Sequence, residues 1–282
     1  MTARTDTAHT AHPLTDSALA RRLERTEAVA NAALVESRAR LEPGVGAAWI
    51  DVAGVYAMFD GPQSPITQTF GLGLFDDVGE AELAQIEGFF RERSAPVCHE
   101  VSPLIPSGVL DLLNARGYQP IEFSSVLVRP IVTVSPTATT SVSVRRIDVP
   151  EIGLWSQVAA AGWSSEGPEL ASVIEGFGRV IGHAQGAHCF LAYHQGRPIA
   201  AAGLVLNRDV ALLAGASTIP ESRRLGAQRA LLDARLHFAA AQGARLAMVV
   251  AQPGSGSQRN AERHGFRVVY TRTKWRLRNG GV

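Results

Sequence analysis

The chain has 282 residues, 46% of them hydrophobic, a formal net charge of +1 and a sequence pI near 7.9. That length suits two domains of ordinary size, and the apolar content is enough for real cores. The near-neutral balance excludes binding of nucleic acid or membrane by bulk charge, so any cationic function must be local.

Residues 1–13 are polar and hold no continuous apolar segment; they read as a disordered tail and not as a Sec-type signal peptide. Asp16 or Ser17 caps a helix to about Leu41, with Leu19, Leu23, Ala30 and Leu34 at helical spacing, and Pro43-Gly44 ends it. Strands are expected at 47–52, 55–59 and 66–75, the last containing Gly71 and Gly73, then a helix at 80–93 and a short strand at 97–101. A helix at 107–116 closes at Gly117, and 118–130 alternates as one or two strands. The small-residue stretch 136–141 is the best boundary in the chain.

Beyond it the pattern predicts a strand at 143–147, helices at 150–161 and 168–181, and a hairpin of 188–193 with 198–206 turning at Gly196. A strand at 210–216, a one-faced helix at 226–242 and an uninterrupted apolar run at 246–251 follow. Strand, helix and buried strand in that order imply a right-handed parallel crossover. Gly254-Ser-Gly-Ser-Gln258 reads as a turn that caps the next helix, and His264 as a cap at that helix's end. Cys98 and Cys189 sit in apolar runs without CxxC spacing and read as core thiols of a reducing compartment. No run is long enough to span a bilayer, so a cytoplasmic protein is expected.

Two features carry chemistry. Arg116-Gly117-Tyr118 and His264-Gly265-Phe266 each end a helix and open a β run, and a strand with a central glycine precedes each, at Gly71 and Gly215; this reads as two copies of one α/β unit. The second feature is Arg223-Arg224-Leu225-Gly226-Ala227-Gln228, an Arg- and Gly-containing turn between a strand and a helix start, with Arg229 just inside the helix. Free N–H groups and the positive end of a helix dipole suit a phosphate there. At the equivalent turn the first copy has Phe75-Asp-Asp-Val-Gly-Glu80, whose carboxylates suit capping and repel a phosphate.

With the six residues Arg223–Gln228 in that context, the second half resembles the GNAT superfamily of acetyl-CoA-dependent N-acetyltransferases, whose pyrophosphate loop reads Arg/Gln-x-x-Gly-x-Gly/Ala. The first half resembles a degenerate copy, as in tandem members. The resemblance implies an α/β (α+β) fold of tandem GNAT-like mixed sheets flanked by helices. Its domains would be a degenerate GNAT-like domain at 14–131, a linker at 132–141 and an acetyltransferase domain at 142–282. It implies acetyl-CoA as cosubstrate, held by Ala216, Ser217, Thr218, Arg223, Arg224, Leu225, Gly226, Ala227, Gln228, Arg229 and Asn260, with Ser217 and Thr218 flanking the thioester. The strand at 246–251 would splay from its neighbour to admit that thioester.

The closing helix of the family resembles Asn260–Phe266, but its usual tyrosine position is Ala261 here. Tyr270, Ser257 or solvent would then protonate the departing thiolate. Glu166, in the loop between two helices that border the acceptor site, stands as a general base or amine ligand, against a plain surface role. Trp163 lines the same pocket or simply packs.

The function expected is direct acetyl transfer to an amine of a small molecule or peptide, in a monomer or homodimer without metal, nucleic-acid or membrane partners. A non-catalytic acyl-CoA-binding or sensing module is the alternative, and an interaction scaffold a third. No GxSxG, HExxH or CxxC pattern supports hydrolase or redox chemistry.

Overall fold

A computed structural model describes residues 11–132 and 141–278. The expected tail at 1–13 and linker at 132–141 fall mostly outside the described residues. Contacts divide the described residues into two compact units, one built on Pro13–Val128 together with the described residues from Val249, the other on those between Arg129 and Met248.

The first unit starts with helix α1, Ser17–Leu41, which Asp16 caps by accepting the Leu19 N–H at 2.7 Å. Strands β1, Ala48–Val52, and β2, Val55–Phe59, form an antiparallel hairpin. Strand β3 covers only Gln68–Phe70, not 66–75, because the chain turns left-handed at Gly71, with φ 87°. Helix α2, Glu80–Arg91, leads to strand β4, Cys98–Val101, which lies parallel to β3 with Thr69 opposite His99. Helix α3, Ser107–Ala115, and strand β5, Tyr118–Pro130, complete this part.

The second unit holds strand β6, Val142–Arg146, helix α4, Ile152–Ala161, and helix α5, Pro168–Gly182. Strands β7, Ala187–His194, β8, Arg197–Asn207, and β9, Val210–Thr218, form an antiparallel meander. Helix α6, Ala227–Ala241, then crosses to strand β10, Leu246–Ala251, which pairs parallel with β9. The chain continues through helix α7, Gly256–Arg263, to strand β11, Arg267–Leu277. Among the described residues no helix is long and apolar enough to cross a membrane.

Each unit is thus a mixed sheet flanked by helices. The orders are β1-β2-β3-β4-β11-β5 in the first and β10-β9-β8-β7-β6 in the second. Both contain a parallel strand–helix–strand step, β3-α2-β4 and β9-α6-β10, which matches the two-copy reading of the sequence. The expected boundary differs at the C-terminal end. Residues 249 onward, expected within a domain at 142–282, pack with the first unit, where β11 pairs antiparallel with β4 on one side and β5 on the other.

The physical anchor of β11 is a row of polar side chains on one of its faces. Tyr270, Arg272 and Lys274 alternate along the strand and therefore point the same way. Arg272 is 1% exposed and reaches Glu27 at 2.8 Å, Glu24 at 3.2 Å and Glu100 at 3.5 Å. Tyr270 donates to Glu24 at 2.8 Å, and Lys274 bridges Glu100 and Glu122 at 3.4 and 3.2 Å. Burial opposes charge on Arg272, but Glu24, Glu27 and Glu100 outweigh it and hold the guanidinium well above its ordinary pKa.

Candidate functional site

Strand β9 is bulged where it meets the candidate loop. Ala201 faces Ser217 and Gly203 faces Ala214, so β9 inserts one residue more than β8 across the shift. Gly215 supplies the left-handed backbone there, at φ 61°. Ala214, Gly215 and Ala216 are exposed while the flanking residues are buried, so small side chains and accessible backbone meet the solvent at this point.

Buried donors hold the bulge from behind. The Trp155 indole donates to the Ala202 carbonyl at 3.2 Å, and Arg235 of α6 donates to the Gly203 carbonyl at 3.0 Å. These two carbonyls lie at the shift, and a buried carbonyl without a partner would be costly. Burial lowers the Arg235 pKa to about 10, which still leaves it charged at neutral pH. Neither residue stood out in the sequence, because a core tryptophan and a helix arginine carry no local pattern.

β9 pairs with β10 only through Val210, Ala211 and Leu212. Beyond them a short 3-10 turn at Pro220–Ser222 leads to Arg223, and then two positions of positive φ flank Leu225: Arg224 at 68° and Gly226 at 87°. Gly226 is the N-cap of α6, and no side chain caps it. The first N–H groups of α6 therefore face an open turn, with the positive end of the helix dipole behind them. The corresponding start of α2 is closed: Glu82 folds back and accepts the Gly79 N–H at 2.9 Å, and that bond holds its carboxyl below the ordinary range.

The end of α4 is fastened to this region. Ser217 donates to the Ala159 carbonyl at 2.9 Å, and Arg223 donates to the Gly162 carbonyl at 3.1 Å. A Cβ at Gly162 would lie 2.5 Å from the Ser217 Cβ, so only glycine fits. Gln228, which stands where the family pattern has a small residue, donates to Thr218 Oγ1 at 2.8 Å. The hydroxyls of Ser217 and Thr218 are thus engaged within the protein. Leu225 is exposed, and Arg229 faces Asp233 at 3.7 Å.

Between α4 and α5 lies a cavity of about 450 Å³, lined by Gln157, Ala160 and Ala161 of α4, Ser164, and Ala171, Ser172 and Glu175 of α5. Trp163, 38% exposed, sits in the connecting loop. Glu166 ends the 3-10 turn Ser164–Glu166, and its side chain lies outside the described residues.

Ala216 to Arg229 thus come together on one edge of the second unit. Asn260, Ser257 and Tyr270 belong to the first unit. Ser257 is exposed in the first turn of α7, behind the Ser255 cap, and Asn260 is half-buried; its carbonyl bonds the His264 ring at 2.7 Å. Tyr270 is buried, and burial together with Glu24 pushes its hydroxyl well above its ordinary pKa. It keeps its proton and donates it in the hydrogen bond to Glu24 of α1. Both cysteines are buried free thiols, and burial raises Cys98 and takes Cys189 to about 12. Among the described residues no three His, Cys, Asp or Glu side chains are placed to share a metal ion.

A bulged strand running into an open turn and an uncapped helix, within a mixed α/β sheet, gives the second unit exposed backbone groups that can receive an anionic ligand. Residues 155–266 match the model of the acetyltransferase (GNAT) family.

Solved structures share the fold over most of the chain. A GCN5-related N-acetyltransferase from Kribbella flavida is 18% identical, with a TM-score of 0.57 over 88% of this chain and 96% of that one. A tandem GNAT protein from the clavulanic acid biosynthesis pathway is 15% identical, with a TM-score of 0.58 over 81% and 79%. A GCN5-related N-acetyltransferase from Sphaerobacter thermophilus is 16% identical, with a TM-score of 0.52 over 76% and 73%. No curated protein matches the chain in sequence.

Proposed function

We propose that the second unit binds acetyl-CoA and transfers the acetyl group directly to an amine of a small molecule or peptide. The observation that carries this reading is the exposed bulge at Ala214–Ala216 followed by the uncapped start of α6. The N–H groups around Leu225, Gly226, Ala227 and Gln228 would receive the pyrophosphate, and Arg224 and Arg229 would add charge. Charge-assisted bonds of this kind contribute about 1.5–3 kcal/mol each. The backbone of β9 beside Ala216, Ser217 and Thr218 would align the pantetheine arm and polarise the thioester carbonyl.

In the reaction a neutral amine attacks that carbonyl, the carbon–sulfur bond breaks, and the amine's proton ends on the CoA thiol. Glu166 would take up that proton first on the acceptor side, and solvent would pass it on to the departing thiolate. The buried, protonated cysteines favour direct transfer over a thioester on the enzyme. They also fit a reducing compartment such as the cytoplasm. The first half, whose helix start is occupied by Glu82, would keep the fold without the ligand.

A non-catalytic acyl-CoA sensor is the second reading, and one observation favours it: the Tyr270 hydroxyl is bonded to Glu24. One pair of measurements decides. Calorimetry should show acetyl-CoA binding to the wild type and at least tenfold weaker binding to Arg224→Glu; no binding by the wild type sinks both readings. Release of free thiol across an amine panel should depend on the amine, and binding without turnover would select the sensor.

A further inference from the structure

Arg223 opens the candidate pyrophosphate loop, yet its guanidinium points elsewhere: it donates to the Gly162 carbonyl at 3.1 Å, across the end of α4. The carbonyls of a helix's last turn lack helical partners, and the dipole there favours a cation. In α4, the Val158 and Ala160 carbonyls are taken by the N–H groups of Gly162 and Trp163. Ser217 takes Ala159, and Arg223 takes Gly162. Gly162 also packs against Ser217 too closely for any side chain. The same turn supplies Ala160 and Ala161 to the wall of the cavity between α4 and α5. One turn of helix therefore serves both the loop and the cavity.

We propose that Arg223 is a positioning residue that fastens the cavity wall to the loop, so that a ligand bound at the loop stiffens the cavity. This rests on the acyl-CoA reading of the loop. It assigns the phosphate-facing role to the backbone and to Arg224, and gives Arg223 a mechanical one. The consequence is that the acceptor side is best ordered when acetyl-CoA is already bound, because ordering the loop once lowers the cost of ordering its neighbour.

Amide hydrogen exchange on the full chain tests it. In the free protein, Arg223→Ala should speed exchange of the Gly162 and Trp163 amides at least tenfold, and Arg223→Lys, which keeps a donor, should recover part of the protection. Saturating acetyl-CoA should slow exchange across 159–164 in the wild type and not in Arg223→Ala, while the acetyl-CoA Kd of that variant stays within threefold. Unchanged exchange in free Arg223→Ala overturns the inference. So does a tenfold or greater loss of acetyl-CoA affinity with protection across 159–164 intact, since the side chain would then be a phosphate ligand. If the wild type does not bind acetyl-CoA, the acyl-CoA reading and the coupling built on it both fall. Exchange in the free protein, which needs no ligand, tells that outcome apart from failure of the Arg223 assignment.

Discussion

His99 shows how much one buried side chain can set. It is fully buried; its Nδ1 lies 2.7 Å from Thr69 Oγ1, and its Nε2 has no hydrogen-bond partner. Burial lowers its pKa from 6.5 to about 4, against a weaker opposing pull from Glu87. A histidine whose folded pKa is depressed binds fewer protons folded than unfolded in that interval. Its contribution is therefore complete above pH 6.5 and lost as pH falls toward 4. The swing is on the order of 3 kcal/mol at most. Glu24, raised by burial, works in the opposite sense, so the wild-type profile alone does not isolate His99. The comparison that does is urea unfolding of wild type and His99→Gln across this range: the variant should lose less stability on acidification. Equal slopes would show that the imidazole is not the acid-labile group.

At the scale of elements, strand β11 is held by charge as much as by its ladder. Removing one member of a buried ion cluster leaves the others uncompensated, which costs about 3–5 kcal/mol. Arg272→Ala should therefore lower stability by about that amount in denaturant unfolding. Replacing Arg272, Glu24 and Glu27 together by apolar residues should recover most of the loss, and a variant triple as unstable as the single one would argue against this account. The sequence made β11 visible as a strand but not its neighbours. Alternation fixes which residues share a face, whereas partner strands are chosen by packing far away in the chain, here Glu24, Glu27 and Glu100. The same limit applied at the candidate site. The turn Arg223–Gln228 was legible because its residue types and its place between strand and helix are local. The bulge at Gly215 was not, because it exists only in the register of β9 against β8. Strand β3 was overextended for a related reason: Phe70 to Phe75 is apolar enough for a strand, yet the left-handed turn at Gly71 ends it.

For the whole molecule, the division of the chain has a consequence that the linker near 136–141 would not suggest. A domain cut at that linker, residues 142–282, would carry β11 without β4 or β5, its partners from Arg267 to Leu277. Both edges of a strand would then present unpaired N–H and C=O groups, a template for association, and the guanidinium of Arg272 would lose its carboxylates. Produced alone, the fragment should aggregate, with β11 open to exchange, as read by sedimentation and amide exchange. Adding a separately produced fragment of residues 13–128 should restore a soluble one-to-one complex, because that fragment supplies β4, β5 and α1. A monodisperse 142–282 fragment with a protected β11 would mean that the C-terminal strand can pair within its own half, and that its place between β4 and β5 is one of two accessible arrangements.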